Sequence, residues 1–195
     1  MEVAWVILAG GLGSRMGGAN KGLVKLNDQL MVDHIYQKLI RHTNNIYINT
    51  NTQQAQYQHY GPLIADLTKA QLGPLGGMQA ALESLNEKWV GFIPCDAPLI
   101  PSDLFARLEL HCNEDTDVIV VSIGQRIQPV FCLMHQRVAP KLTDYLLQGK
   151  RKALDFILSQ RYTTIDFQQD GFFNINTVEE LKNIEAEIKK GINDL

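Results

Sequence analysis

Residues Val3 to Lys21 read VAWVILAGGLGSRMGGANK, and this stretch decides how the rest of the chain is read. Its first residues are apolar and β-favouring, and they run directly into glycines at 10, 11, 13, 17 and 18. Arg15 and Lys21 are the full charges it carries. A buried strand opening into a glycine-rich loop with two cations is suited to a polyphosphate: missing side chains let backbone N–H groups approach a ligand, and Arg and Lys complement phosphate oxygens. A loop whose cations are merely solvated is the plainer alternative, but turn chemistry alone does not call for so many glycines after a first strand. The spacing excludes a Walker loop, because Lys21 is followed by Gly22 and no Ser or Thr. It also excludes a dinucleotide fingerprint, because Met16 stands where the third glycine would be.

Working outward, the 195 residues suit one domain spanning 1–195, burying roughly 70% of the unfolded surface. The hydrophobic fraction of 45% and charged fraction of 20% are ordinary for a globular protein. A net charge of −3 argues against a broad nucleic-acid footprint but not against one nucleotide. Cys95, Cys112 and Cys132 show neither C-x-x-C nor zinc spacing and read as thiols of a reducing compartment. No apolar run approaches the ~18 residues of a membrane span, and the first strand lacks a signal peptide's basic lead-in. A cytoplasmic location is expected.

Strand and helix patterns alternate along the chain. KLNDQ (25–29) reads as a turn, and Val32, Ile35, Tyr36, Leu39 and Ile40 mark one face of a helix. A strand at Ile46–Ile48 ends in polar Asn49, Thr50 and Asn51, and another at 62–65 is closed by Asp66. Asn49 is a candidate contact for a base or ribose and Asp66 for the same crevice, although both residues also suit turns. Pro74 opens a helix crowded with Gly73, Gly76 and Gly77, which implies close approach at its N-terminus or tight packing on a sheet. WVGFIP (89–94) is a strand, and Asp96 follows it with Pro98 fixing the turn. A single carboxylate there suffices for Mg²⁺, which fills its remaining positions with water and substrate phosphates. Ser102 is expected to cap the next helix. Residues 117–123 and 130–134 read as neighbouring strands, the second an edge or an irregular ladder because of Pro129. Lys150, Arg151 and Lys152 read as a solvated face or, near a crevice, a hold for a phosphorylated acceptor. Tyr162 to Phe167 is the last β-like run. Asn174 and Asn176 alternate as on a strand, and Thr177 with Glu180 matches a capping box before a final helix. The alternation predicts an α/β fold with a largely parallel sheet and helices on both faces.

The loop L-A-G-G-x-x-x-R-M-G-G-x-x-K resembles the signature loop of nucleotidyltransferases. The ordered set LAGGLGSRMGGANKG (8–22), Asn49, Asp66, GPLGGM (73–78), PCDAPLIP (94–101), Pro129 and FNINTVEEL (173–181) is similar to the molybdenum cofactor guanylyltransferase family over nearly the whole chain. That resemblance implies a Rossmann-like three-layer α/β/α domain with a mostly parallel, mixed sheet. It implies transfer of GMP from MgGTP to the terminal phosphate of a molybdopterin-type cofactor. It further implies GTP contacts from Leu8, Ala9, Gly10, Lys21, Asn49, Asp66 and Asp96, with Mg²⁺ on Asp96. Arg15, Lys21 and Asp96 would carry the catalysis, and Asn174 and Asn176 would serve the acceptor. Partners would be GTP, the cofactor and, transiently, cofactor-insertion proteins or apo-molybdoenzymes, with no nucleic acid or membrane. Two rivals stand beside it: a nucleotidyltransferase using CTP or a sugar-phosphate acceptor, and a catalytically silent nucleotide-binding scaffold.

Overall fold

A computed structural model describes residues 2–10, 20–168 and 171–189. Strand β1 (Val3–Leu8) sends alternate side chains to opposite faces: Val3, Trp5 and Ile7 enter one apolar core, and Ala4 and Val6 enter another. Residues 25–30 form a two-stranded hairpin, β2 (Lys25–Leu26) and β3 (Gln29–Leu30), turned by Asn27 and Asp28, both with positive φ. Helix α1 (Met31–Leu39), β4 (Ile46–Asn49), the single turn α2 (Gln54–Tyr57), β5 (Leu63–Ile64), α3 (Pro74–Ser84) and β6 (Trp89–Pro94) follow. Next come α4 (Leu104–Glu109), β7 (Val118–Ile123), β8 (Arg126–His135), α5 (Ala139–Leu147), α6 (Ala153–Leu158), β9 (Tyr162–Asp166) and α7 (Val178–Lys189).

Seven strands form one sheet in the order β5-β4-β1-β6-β8-β7-β9, with β8 antiparallel to both its neighbours and every other pairing parallel. The expected mostly parallel, mixed sheet is therefore present. Val32, Ile35 and Leu39 of α1 and Leu104, Phe105 and Leu108 of α4 cover one face. Leu75, Met78 and Leu82 of α3, Leu142 and Leu146 of α5 and Phe156 and Ile157 of α6 cover the other. A third cluster joins Leu26 and Met31 to Ile175 and Ile184, so α7 is pinned beside the small hairpin.

Two local expectations are corrected, and of the two readings of Pro129 the irregular ladder is the one the structure contains. The strand around Pro129 is not an edge: β8 lies inside the sheet and runs for ten residues. Its ladder with β7 is irregular, passing from Val120↔Cys132 to Val121↔Gln128, so Pro129 falls where no paired N–H is needed. Ser102 does not cap α4: the cap position is Asp103, which makes no side-chain capping bond and instead lies 3.6 Å from Arg107. The segment carrying Asn174 and Asn176 is irregular rather than a strand, although the capping box after it forms, Thr177 N–H donating to Glu180 (3.0 Å) and Glu180 N–H to the Thr177 hydroxyl (3.1 Å).

At the sheet edge where β7 and β9 begin, Asp117 is 1% exposed. Arg161 forks onto both its oxygens (2.8 and 3.0 Å) and Arg137 donates to one of them (2.6 Å). The Arg161 hydrogen bonds, with help from Arg137, hold this carboxyl well below the usual carboxylate range. Stability from a depressed carboxylate is present above its ordinary value of about 3.9 and is lost as pH falls through the folded value. Asp117→Asn should therefore cost about 2 kcal/mol at neutral pH, less than for a fully buried pair because both arginines reach solvent. In urea melts the gap between wild type and variant should close below about pH 4. A gap that stays constant down to pH 2 would contradict this account of the cluster.

Candidate functional site

The chain leaves β1 for β4 on one side and later returns to β6 on the other, which makes the carboxyl end of β1 a switch point of the sheet. Ligands of open α/β sheets bind in the crevice that such a reversal creates. The parallel strands β1, β4, β5 and β6 direct Leu8–Gly10, Asn49, Asp66 and Asp96 to this one edge. The ladder continues past β1: Cys95 N–H donates to the Leu8 carbonyl (3.1 Å) and Ala9 N–H to the Asn49 carbonyl (2.8 Å). These main-chain groups of Leu8 and Ala9 are thus already engaged by the sheet.

Asn49 and Asp66 form one half of the site. The Asn49 amide donates to Asp66 Oδ1 (2.8 Å) and to the Ile64 carbonyl (3.1 Å), and the side chain of Asn51 accepts from Asp66 N–H (2.8 Å). The N-terminal glycines of α3 make room for this pair. A Cβ at Gly77 would stand 2.2 Å from Asn49 Oδ1, and one at Gly76 3.1 Å from Asp66 Oδ2. Gly77→Ala therefore has two opposed effects. Helix propensity favours alanine by about 1 kcal/mol, while the collision should displace Asn49 and cost about 1–3 kcal/mol. The net expectation is a less stable protein with about tenfold weaker nucleotide affinity, measured by urea melts and calorimetry. A stabilised variant with unchanged affinity would show that Asn49 need not stay in place.

Lys21, Asp96 and Asn176 form the other half. Lys21 Nζ donates to Asp96 Oδ2 at 3.0 Å and to Asn176 Oδ1 at 2.5 Å. Their side chains are 23% (Lys21) and 7% (Asp96) exposed, so the ion pair is largely out of water. Asn176 in turn donates to the Asn174 carbonyl (2.9 Å), and Ile175 N–H to the Asp96 carbonyl (2.8 Å). The segment that bears both asparagines is thereby tied to the turn after β6. That turn is held from beneath by Lys38, whose ammonium donates to the carbonyls of Pro98 (3.0 Å) and Ile100 (2.8 Å). Burial lowers its pKa to about 8.

The donor chemistry at Asp96 fits a hard cation. Among the described residues no group of three or more His, Cys, Asp or Glu side chains is arranged to hold a metal. The neighbouring Cys95 is buried, and burial beside Asp96 pushes its thiol far up, so it offers no thiolate. Among the described residues Lys21 engages only one oxygen of this carboxylate, which leaves the other for an ion that draws further ligands from water and phosphate, as Mg²⁺ does.

The sequence-level candidates thus converge, with two exceptions. Arg15 and the loop glycines from 11 to 18 lie outside the described residues. The basic run at 150–152 makes local contacts: Arg151 donates to the carbonyls of Leu146 (2.8 Å) and Lys150 (2.7 Å). Lys150 lies over the Tyr145 ring. Sequence reasoning missed Asn20, Asn51 and Tyr57. Asn51 was signalled only by the polar end of β4, and Tyr57 by nothing local, because its partner is 37 residues away. Among the described residues no helix is long and apolar enough to cross a membrane.

Comparison with known proteins adds to this geometry. Residues 5–164 match the model of the MobA-like NTP transferase domain. A protein named molybdenum cofactor guanylyltransferase from Photobacterium profundum is 44% identical over 183 residues, covering 93% of this chain and 94% of that protein. One of the same name from Vibrio cholerae is 44% identical over 187 residues, covering 95% and 92%. The crystal structure of molybdopterin-guanine dinucleotide biosynthesis protein A from Archaeoglobus fulgidus superposes with a TM-score of 0.77 at 22% identity, covering 96% of this chain and 99% of that one.

Proposed function

The chain belongs to the MobA-like NTP transferase family, and on that premise we propose that this nucleotidyltransferase moves GMP from GTP to the terminal phosphate of a molybdopterin-type cofactor. The observation that carries the reading is one ammonium, Lys21 Nζ, bridging the Asp96 carboxylate and the Asn176 amide. It joins the carboxylate at the switch point to the segment assigned to the acceptor, so donor and acceptor phosphates would meet at one cation.

The acceptor phosphate is anionic at neutral pH, so no general base is needed to create a nucleophile. Its oxygen attacks the α-phosphorus in line; the new P–O bond forms as the bond to the β-bridging oxygen breaks, and pyrophosphate departs with that electron pair. Catalysis of this kind is positioning and charge stabilisation. Asn49 and Asp66 bind the nucleoside, and Leu8–Gly10 form the floor beneath it. Lys21 lies against the phosphates and Asn174 and Asn176 orient the acceptor. Mg²⁺ held by Asp96 would neutralise charge on the triphosphate.

The test is turnover with GTP and the purified cofactor, scoring the guanine dinucleotide and pyrophosphate together. Equimolar formation of both supports the reading. Pyrophosphate release from CTP but not GTP, or with a sugar phosphate but not the cofactor, would replace it with another nucleotidyl transfer. Nucleotide binding without any transfer would make the chain a scaffold.

A further inference from the structure

Tyr57 closes α2, is fully buried in the core on the α1 face, and still carries a hydroxyl. A phenylalanine would fill that apolar space with no polar group to satisfy. The hydroxyl donates to Asn20 Oδ1 at 2.6 Å, and Asn20, itself only 7% exposed, extends its Nδ2 toward the Ala9 carbonyl at 3.4 Å. Ala9 and Asn20 lie on either side of the glycine loop in the sequence. One asparagine side chain therefore joins the two ends of that loop, and Tyr57 holds the joint from below.

The joint fixes the residue that follows it. Asn20 starts the helical turn Lys21–Leu23, accepting Leu23 N–H at 3.0 Å. A Cβ on Gly22 would lie 2.5 Å from the Tyr57 hydroxyl and 3.1 Å from Cys95 Sγ, so the turn sits directly on the tyrosine. From this place Lys21 reaches Asp96 and Asn176. Burial, with Cys95, Tyr60 and Asp96 nearby, pushes the phenol far up, so Tyr57 remains a donor.

We propose that Tyr57, acting through Asn20, is a positioning residue for Lys21: its hydroxyl clamps the neck of the glycine loop so that the ammonium stands over the phosphate-binding crevice. This rests on the reading that Lys21 meets a triphosphate. The same contact ties α2, which follows the Asn49 and Asn51 strand end, to the Lys21 half of the site.

The experiment is a double-mutant cycle by titration calorimetry, with Tyr57→Phe in the wild-type and Lys21→Ala backgrounds. The probes are GTP with Mg²⁺ and inorganic tripolyphosphate with Mg²⁺, and CTP with Mg²⁺ is titrated into the wild type as the base control. Tyr57→Phe should weaken both probes about fivefold where Lys21 is present, the loss typical of one hydrogen bond, and less than about twofold where it is absent. Equal losses in the two backgrounds would mean that the hydroxyl supports the fold generally, and no loss in either would mean that it does nothing; both overturn the proposal. A cycle that appears with tripolyphosphate while GTP shows no preference over CTP would sink the guanylyl reading and leave the positioning role standing. If neither probe binds wild type, Lys21 does not meet a triphosphate and the proposal falls. Gly22→Ala is the second variant, kept for the case that Tyr57→Phe fails to fold. It presses on the hydroxyl from the other side and should show the same Lys21-dependent loss.

Discussion

Asp96→Ala should lower turnover by about 10³-fold, equivalent to about 4 kcal/mol of transition-state stabilisation, with the far-ultraviolet spectrum unchanged. The size follows from the role assigned to the carboxylate, which would be, among the described residues, the protein ligand of the metal that neutralises the triphosphate. The fold should survive because Asp96 supports its surroundings through its main chain: its carbonyl, not its carboxylate, receives Ile175 N–H. The variant also leaves Lys21, whose side chain is 23% exposed, with the Asn176 amide oxygen as a hydrogen-bond acceptor and with access to water. Magnesium dependence should flatten together with the loss of turnover. Activity within about tenfold of wild type would remove Asp96 from the metal.

Lys21→Ala should reduce kcat/KM for GTP by about 10²-fold, because a cation on the phosphates acts in ground and transition states alike. It carries a second, opposite expectation. In the free protein the ammonium lies 3.0 Å from Asp96 Oδ2, where its charge opposes a second cation on the other oxygen of the same carboxylate. Removing it should strengthen Mn²⁺ binding several-fold in the absence of nucleotide, as followed by electron paramagnetic resonance, since a carboxylate that loses its cation favours another. Weaker activity with weaker metal binding would mean that Lys21 holds Asp96 in place rather than opposing a metal on it.

Much of this was legible in the chain because the signals were local. WVGFIPCDAP states its own ending: six apolar strand residues, then the Asp96 carboxylate and the turn-fixing Pro98, and β6 runs over Trp89–Pro94 as read. Asn49 and Asp66 were placed by the rule that strand ends carry ligands, and their hydrogen bond confirms that they share one edge. Thr177 and Glu180 announced a helix start that the structure contains. What escaped was tertiary. RIQP carries no clean alternation, so the sequence pattern starts β8 at Val130 whereas the strand runs from Arg126, and its placement between β6 and β7 depends on partners far away in sequence. Ser102 is a good cap by type, but the helix begins one residue later than a Ser102 cap requires. Asn174 and Asn176 alternate as strand residues do, yet Ile175 is drawn into the cluster under α7 and the backbone follows it. Asn20 and Tyr57 have no spacing that a reader of sequence would pair. Only the fold brings α2 beneath the end of the glycine loop.

Direct titration of GTP, CTP, ATP and UTP into the purified protein with Mg²⁺ reaches the central claim in one step. The account predicts that GTP binds at least about tenfold tighter than the other three, a preference of about 1.4 kcal/mol or more. Tighter binding of CTP would contradict the guanylyl reading while keeping the crevice at the end of β1, and equal binding of all four would show that the site reads phosphates and not the base.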